Sequence, residues 1–151
     1  MSDKSSLIQL MALAQKQSDE AAKKLGRLNI QYQEAQKKLN LLLQYRQIYQ
    51  DRLQNTSQSG IGHIQWRNFV IFINKLDSAI SEQRLAVKHA ENIRDTGSSQ
   101  LKFCQRKLNT YDTLLQRHQQ SEQLQQKRVE QKTLDEFTTN RFSRHNSNVT
   151  K

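Results

Sequence analysis

From Leu7 to Leu53 a seam residue returns in alternating steps of three and four: Leu7, Met11, Ala14, Ser18, Ala21, Leu25, Leu28, Tyr32, Ala35, Leu39, Leu42, Arg46, Tyr49 and Leu53. Only Ser18 and Arg46 are polar. Steps of this kind keep one stripe of a helix turned toward a partner, and a match sustained over nearly seven heptads specifies a coiled coil. A strand would alternate every second residue instead. With Leu25 taken as heptad position a, Arg46 also falls at a, where a lone polar residue tends to fix register at some cost in stability.

The rest of the composition agrees. The chain of 151 residues has no proline, four glycines and a hydrophobic fraction of 34%, with mean hydropathy −0.91. Proline-free, glycine-poor sequence rich in Gln, Leu, Lys and Arg suits long helices. It supplies too few turns for a sandwich, barrel or α/β fold, and too little apolar material for a thick core.

The rhythm stops at Gln54-Asn-Thr-Ser-Gln-Ser-Gly60-Ile-Gly62, where two glycines among small polar residues mark a turn. It resumes with Trp66, Phe69, Ile73, Leu76, Ile80, Gln83, Val87, Ala90, Arg94, Gly97, Leu101, Cys104, Leu108, Tyr111 and Leu115. The expected fold is therefore all-α: a long antiparallel two-helix coiled-coil hairpin with a single-helix C-terminal overhang. It forms one coiled-coil domain over 1–151, with helix 1 about 4–54, a turn about 55–63 and helix 2 about 64–137. In such a pair a positions face d positions, so the numbers of facing residues sum to a constant. Two constants fit, 115 and 122: Leu42 meets Ile73 or Ile80, and Leu7 meets Leu108 or Leu115. The paired part would be roughly 70–80 Å long. From about residue 116 the seam decays through His118, Glu122 and Gln125, leaving scattered Leu124, Val129, Leu134 and Phe137 on the overhang. The polar, aperiodic stretch 138–151 reads as a disordered tail. Gly97, in the middle of a helix, reads as a site of close backbone packing in preference to a hinge.

Several function classes drop out. A single cysteine, Cys104, excludes an internal disulfide framework and fits a reducing compartment. The first residues enter a helical pattern without the basic and then apolar stretch of a signal peptide, and the longest apolar run is the five residues Phe69–Ile73. A soluble, intracellular protein is the expectation. The formal charge of +10 is spread as +4 over 1–60, +3 over 61–115 and +3 over 116–151, whereas a nucleic-acid reader concentrates its charge on one arm or patch. No nucleic-acid partner is expected; the alternative is a basic coiled coil that binds nucleic acid or an acidic membrane surface, lost on salt titration. A third reading is a structural dimerising rod. Catalysis needs a concave site, which a two-stranded coil lacks. His63, His89, His118 and His145 share no ligand spacing with one another or with Cys104, so no catalytic residue, metal or cofactor is expected.

Apolar residues in excess of the seam say more. Leu41, Leu43, Tyr45 and Ile48 supplement Leu42, Tyr49 and Leu53, while Val70, Ile71 and Phe72 supplement Trp66, Phe69, Ile73 and Leu76. Tyr45 and Phe72 both fall at g, and in an antiparallel pair g flanks g, so these rings and Ala79 share one edge. Apolar surface of this kind marks a partner site; the alternative is packing that stiffens the turn or dimerises the chain. At the other end Ile8, Leu10 and Leu13 supplement Leu7 and Met11, and the overhang adds Leu124 and Leu134. That end suits entry into a ring-shaped partner or local helix pairing.

These residues carry a resemblance. Asp19-Glu-Ala-Ala22, Leu25-Gly26, Tyr45 with Tyr49, Gly60-Ile61, Trp66-Arg67, Phe72-Ile73, Ala79-Ile80 and Asp135-Glu-Phe137, with the length, turn position and charge, resemble the FliJ family over residues 7 to about 137. That family comprises small cytoplasmic coiled-coil components of the bacterial flagellar type III export apparatus. The resemblance implies a non-enzymatic adaptor similar to a rotary-ATPase stalk, peripheral at the inner-membrane export apparatus. It implies three partners: the hexameric export ATPase, whose assembly and activity it promotes; the cytoplasmic domain of the export-gate membrane protein; and export chaperones. The gate patch would comprise Leu42, Tyr45, Tyr49, Phe72, Leu76 and Ala79. The ATPase-ring end would comprise Leu7, Ile8, Leu10, Met11, Leu13, Leu124 and Leu134. Lys38 and Gln83 depart from the Gln and His that family members often carry.

Overall fold

The computed structural model describes residues 2–149, all but the short turn of them in two helices, α1 (Ser2–Ser59) and α2 (His63–Val149), which run antiparallel and pack on one another. The turn is shorter than the polar composition predicts. Thr56 donates its hydroxyl to the Arg52 carbonyl at 2.6 Å and Ser59 donates to the Asn55 carbonyl at 2.8 Å, so both hydroxyls are satisfied inside α1, which runs on through the polar stretch. Helix 1 therefore ends at Ser59, past the expected residue 54. Gly60 ends it, with φ of 81°, the left-handed conformation that closes a helix with least strain in glycine. Gly62 opens α2, its carbonyl accepting the first helical bond from the Trp66 amide at 3.1 Å.

The far end of α2 also departs from expectation. Helix continues to Val149, so 138–149 is helical where a disordered tail was anticipated; residues 150 and 151 lie outside the described residues. Thr133, Thr138 and Thr139 donate to carbonyls four residues back at 2.8–2.9 Å, and neither proline nor glycine interrupts the segment.

The pattern read as one domain, whereas the chain divides into two compact units: Gln17–Gln105, and the stretch ending at Lys16 together with that beginning at Arg106. In the first unit the core is a single seam. Leu76, Ile80, Cys104 and Ser18 are 5–8% exposed and Gly97 is buried, while the remaining seam positions are half-buried. Two helices enclose one layer of side chains, so little else is sequestered. Trp66 is the exception: expected at the seam, it is 43% exposed, because so near the turn it has only Thr56 opposite.

Contacts within this unit choose the register. Gly97 lies against Leu25 and Leu28, Arg46 pairs with Asp77, and the Gln83 amide reaches the Ala35 carbonyl at 2.9 Å. The Gly97–Leu25 and Arg46–Asp77 contacts follow the sum of 122 or lie within one of it, whereas the long Gln83 side chain reaches between the two registers; Ile80 therefore stands opposite Leu42. In the second unit Ala14 is 2% exposed, Leu7, Met11, Leu108, Tyr111 and Leu115 are half-buried, and Lys4 Nζ meets Glu122 Oε2 at 3.2 Å.

Gly97 is a packing glycine. A Cβ there would come within 2.7 Å of Leu28 Cδ1 and 3.7 Å of Leu25 Cδ1. The Leu28 methyl ends a flexible side chain, and alanine recovers up to about 1 kcal/mol of helix propensity. Gly97→Ala is therefore expected to leave stability nearly unchanged. Gly97→Val, with two further methyls and a stiff χ1, should cost about 1–3 kcal/mol in chemical denaturation. Equal stability of the two variants would contradict the close approach.

Candidate functional site

Helical periodicity brings the turn-proximal aromatic residues to one edge of the Gln17–Gln105 unit. Tyr45 occupies g on α1, and at the observed register it falls between Phe72 and Ala79, both at g on α2. Tyr45 is 46% exposed and Phe72 40%, while Ala79 is half-buried. The Phe72 ring leans on Tyr49, with centroids 4.4 Å apart and planes inclined by 50°, a tilted aromatic pair. Leu41, Ile48 and Ile71 are 45–47% exposed nearby, so the apolar surface is wider than the three edge residues.

The six residues of the anticipated gate patch do not stand equally. Tyr45 and Phe72 are open to a partner; Leu42 and Tyr49 are half-buried at the seam. Leu76 is only 8% exposed and sits across from Arg46, so it holds the flank from beneath. Gln83 is turned inward by its bond to the Ala35 main chain, whereas Lys38 is exposed.

Arg46 is the one charged residue in the α1 seam, and it finds partners both across the seam and one turn along its own helix. Its Nε donates to Asp77 Oδ1 and its Nη1 donates to Gln50 Oε1 at 3.0 Å. The hydrogen bond and the charge of Asp77 hold the guanidinium still more firmly protonated than usual. Arg94 makes a parallel arrangement, lying 4.3 Å from the Tyr32 ring centroid and pairing with Asp95 at 3.1 Å.

In the other unit Leu7 and Met11 are seam residues, half-buried, while Ile8, Leu10 and Leu13 are 45–53% exposed. Leu124 and Leu134 project from the unpaired stretch of α2 at 52% and 58% exposure. Sequence reasoning missed Leu114, 43% exposed at a g position on the edge that Leu10 occupies. Its signal was present, since the register that pairs Ile80 with Leu42 also sets Leu114 beside Leu10. Ile30, Leu85, Ile93 and Phe103, 38–73% exposed, were likewise not singled out, because each stands alone off the seam. Among the described residues no cluster of three His, Cys, Asp or Glu side chains has metal-binding geometry, and no helix is long and apolar enough to cross a membrane.

The model of the family described as Flagellar FliJ protein matches residues 3–147. The Flagellar FliJ protein of Escherichia coli (strain K12) is 28% identical over 137 residues, covering 91% of this chain and 93% of the relative. The protein of the same name from Salmonella typhi is 30% identical, with the same coverage of each. The match runs through both helices, the turn and nearly all of the unpaired segment, and on that extent the chain belongs to the FliJ family of flagellar proteins.

Proposed function

We propose that this chain is a non-enzymatic adaptor and stalk of the flagellar type III protein export apparatus, cytoplasmic and peripheral at the inner membrane through its partners. One unit binds the cytoplasmic domain of the export-gate protein along the Tyr45–Phe72–Ala79 edge. The other unit, with Leu7, Ile8, Leu10, Met11, Leu13, Leu124 and Leu134, engages the hexameric export ATPase and promotes its assembly and activity. Export chaperones are further partners. The chain links proteins and makes or breaks no bond itself.

The observation that supports this most is the exposed aromatic edge. The seam is complete without Tyr45 or Phe72, yet both stand about half exposed, with the Phe72 ring braced by Tyr49. Rigid aromatic side chains on a preformed surface are what partner sites use as anchors. Replacing Tyr45 and Phe72 together by alanine is expected to weaken binding of the gate domain by more than about tenfold, since each truncated anchor costs on the order of 1–2 kcal/mol. Helix content should stay the same, because neither residue closes the seam. Titration calorimetry with circular dichroism as the folding control checks this; unchanged affinity refutes the assignment of the edge.

A further inference from the structure

At the turn-ward end of the aromatic edge the surface changes character. A groove of about 410 Å³ opens between the helices, walled by the rings of Tyr49, Phe69 and Phe72 and rimmed by Thr56, Gln65 and Asn68. Arg52 stands beside it, three residues after Tyr49 and four before Thr56, which places all three on one helical face. Its guanidinium carbon lies 5.6 Å from the Tyr49 ring centroid.

Two observations assign an occupant. First, the groove has a cation beside it and no carboxylate in its lining. Arg46 and Arg94 are matched by Asp77 and Asp95, but no carboxylate among the described residues pairs with Arg52. Its sequence neighbour Asp51 lies about 100° round the helix and accepts the Gln47 amide at 3.0 Å. Second, the donors are unequally committed. The Thr56 hydroxyl is used by the Arg52 carbonyl, and Gln83, at the far end of the edge, is spent on the Ala35 main chain. The side chains of Gln65 and Asn68 are exposed at the rim.

We infer that this groove receives an acidic side chain of the partner segment lying on the aromatic edge, its methylene stem against the rings and its carboxylate on Arg52. The inference rests on the reading of that edge as the gate-binding surface and names the chemistry the surface selects. The Tyr49 ring attracts the cation to the side of the groove, and the guanidinium fork presents two parallel N–H donors to a carboxylate, which a lysine cannot reproduce.

The test titrates the full chain with the cytoplasmic domain of the export-gate protein from the same organism, at about 50 mM and about 500 mM salt. Arg52→Glu should weaken binding about tenfold or more at low salt, Arg52→Lys about threefold, with the deficits narrowing at high salt as screening grows. Arg67→Glu, an equal charge change on the opposite side of α2, should have little effect. Binding that survives Arg52→Glu but is lost with the Tyr45→Ala, Phe72→Ala double variant overturns the acidic subsite while leaving the edge assigned. Equal losses from Arg52→Glu and Arg67→Glu reduce the effect to general charge attraction and overturn it as well. No binding by the unaltered chain at either salt concentration overturns both readings.

Discussion

Ile80→Ala should lower the unfolding free energy of the Gln17–Gln105 unit by about 2–3 kcal/mol. Ile80 is 5% exposed and faces Leu42 across the seam, with Leu76, 8% exposed, one turn before it. Truncation removes buried methyl groups from a layer that has no second shell to refill the space. Two effects keep the cost at the lower end of the usual range. Alanine is the better helix former by several tenths of a kcal/mol, and two helices in contact along one face can close part of the void. Leu85→Ala is the matched comparison, since Leu85 lies on the same helix but is 73% exposed, and its cost should stay within about 0.5 kcal/mol. Urea denaturation followed by far-ultraviolet circular dichroism separates the two. If Ile80→Ala and Leu85→Ala behave alike, the seam does not hold this unit together as described.

The same seam shows what was legible in the sequence. The steps of three and four named its positions because burial in a two-helix layer depends only on which stripe faces the partner. Every seam position from Leu7 to Leu53 is buried or half-buried, including the polar Ser18 and Arg46. Register was not legible from apolar spacing, because a shift of one heptad superposes one apolar position on another. Charge and size carried the missing information. At a sum of 115 Arg46 would face Phe69 with Val70 beside it; at 122 it faces Leu76 and reaches Asp77. Likewise 122 sets Leu25 against Gly97, large into small, whereas 115 would set Ser18 against Gly97 and leave a gap. Helix ends were misjudged for a different reason. Ser and Thr signal turns when their hydroxyls compete with the backbone, but here those hydroxyls find acceptors on helical carbonyls without breaking the helix.

For the candidate site the edge was legible and its depth was not. Heptad position placed Tyr45, Phe72 and Ala79 together, since g residues flank g residues in any antiparallel pair. It could not show that Leu76 lies beneath the surface, that Gln83 turns inward, or that Arg52 lies over the Tyr49 ring. Those depend on how far each side chain reaches and on which partner it meets, which position on a helical wheel does not specify.

Removing residues 124–149 should abolish stimulation of the export ATPase while leaving the chain folded, and this separates a stalk from a passive hairpin. The deleted stretch is exposed throughout and contributes no seam position. The cut leaves Lys4–Glu122 in place, together with the half-buried His118 at the last turn of pairing. Stability should accordingly change little, so lost stimulation would report lost contact and not unfolding. Leu124 and Leu134, exposed on a helix with no partner, are the residues that a ring could grip. Deleting 1–13 is expected to abolish stimulation too, but it also strips Leu7 and Met11 from the seam and uncovers Tyr111 and Leu115, so unfolding of that unit would contribute. The comparison is therefore made on the overhang truncation, with hydrolysis measured against the full chain at equal concentration. The rate should fall to that of the ATPase alone. If the truncated chain stimulates as well as the intact one, the overhang has no part in driving the ring, and the stalk reading loses the segment on which it depends.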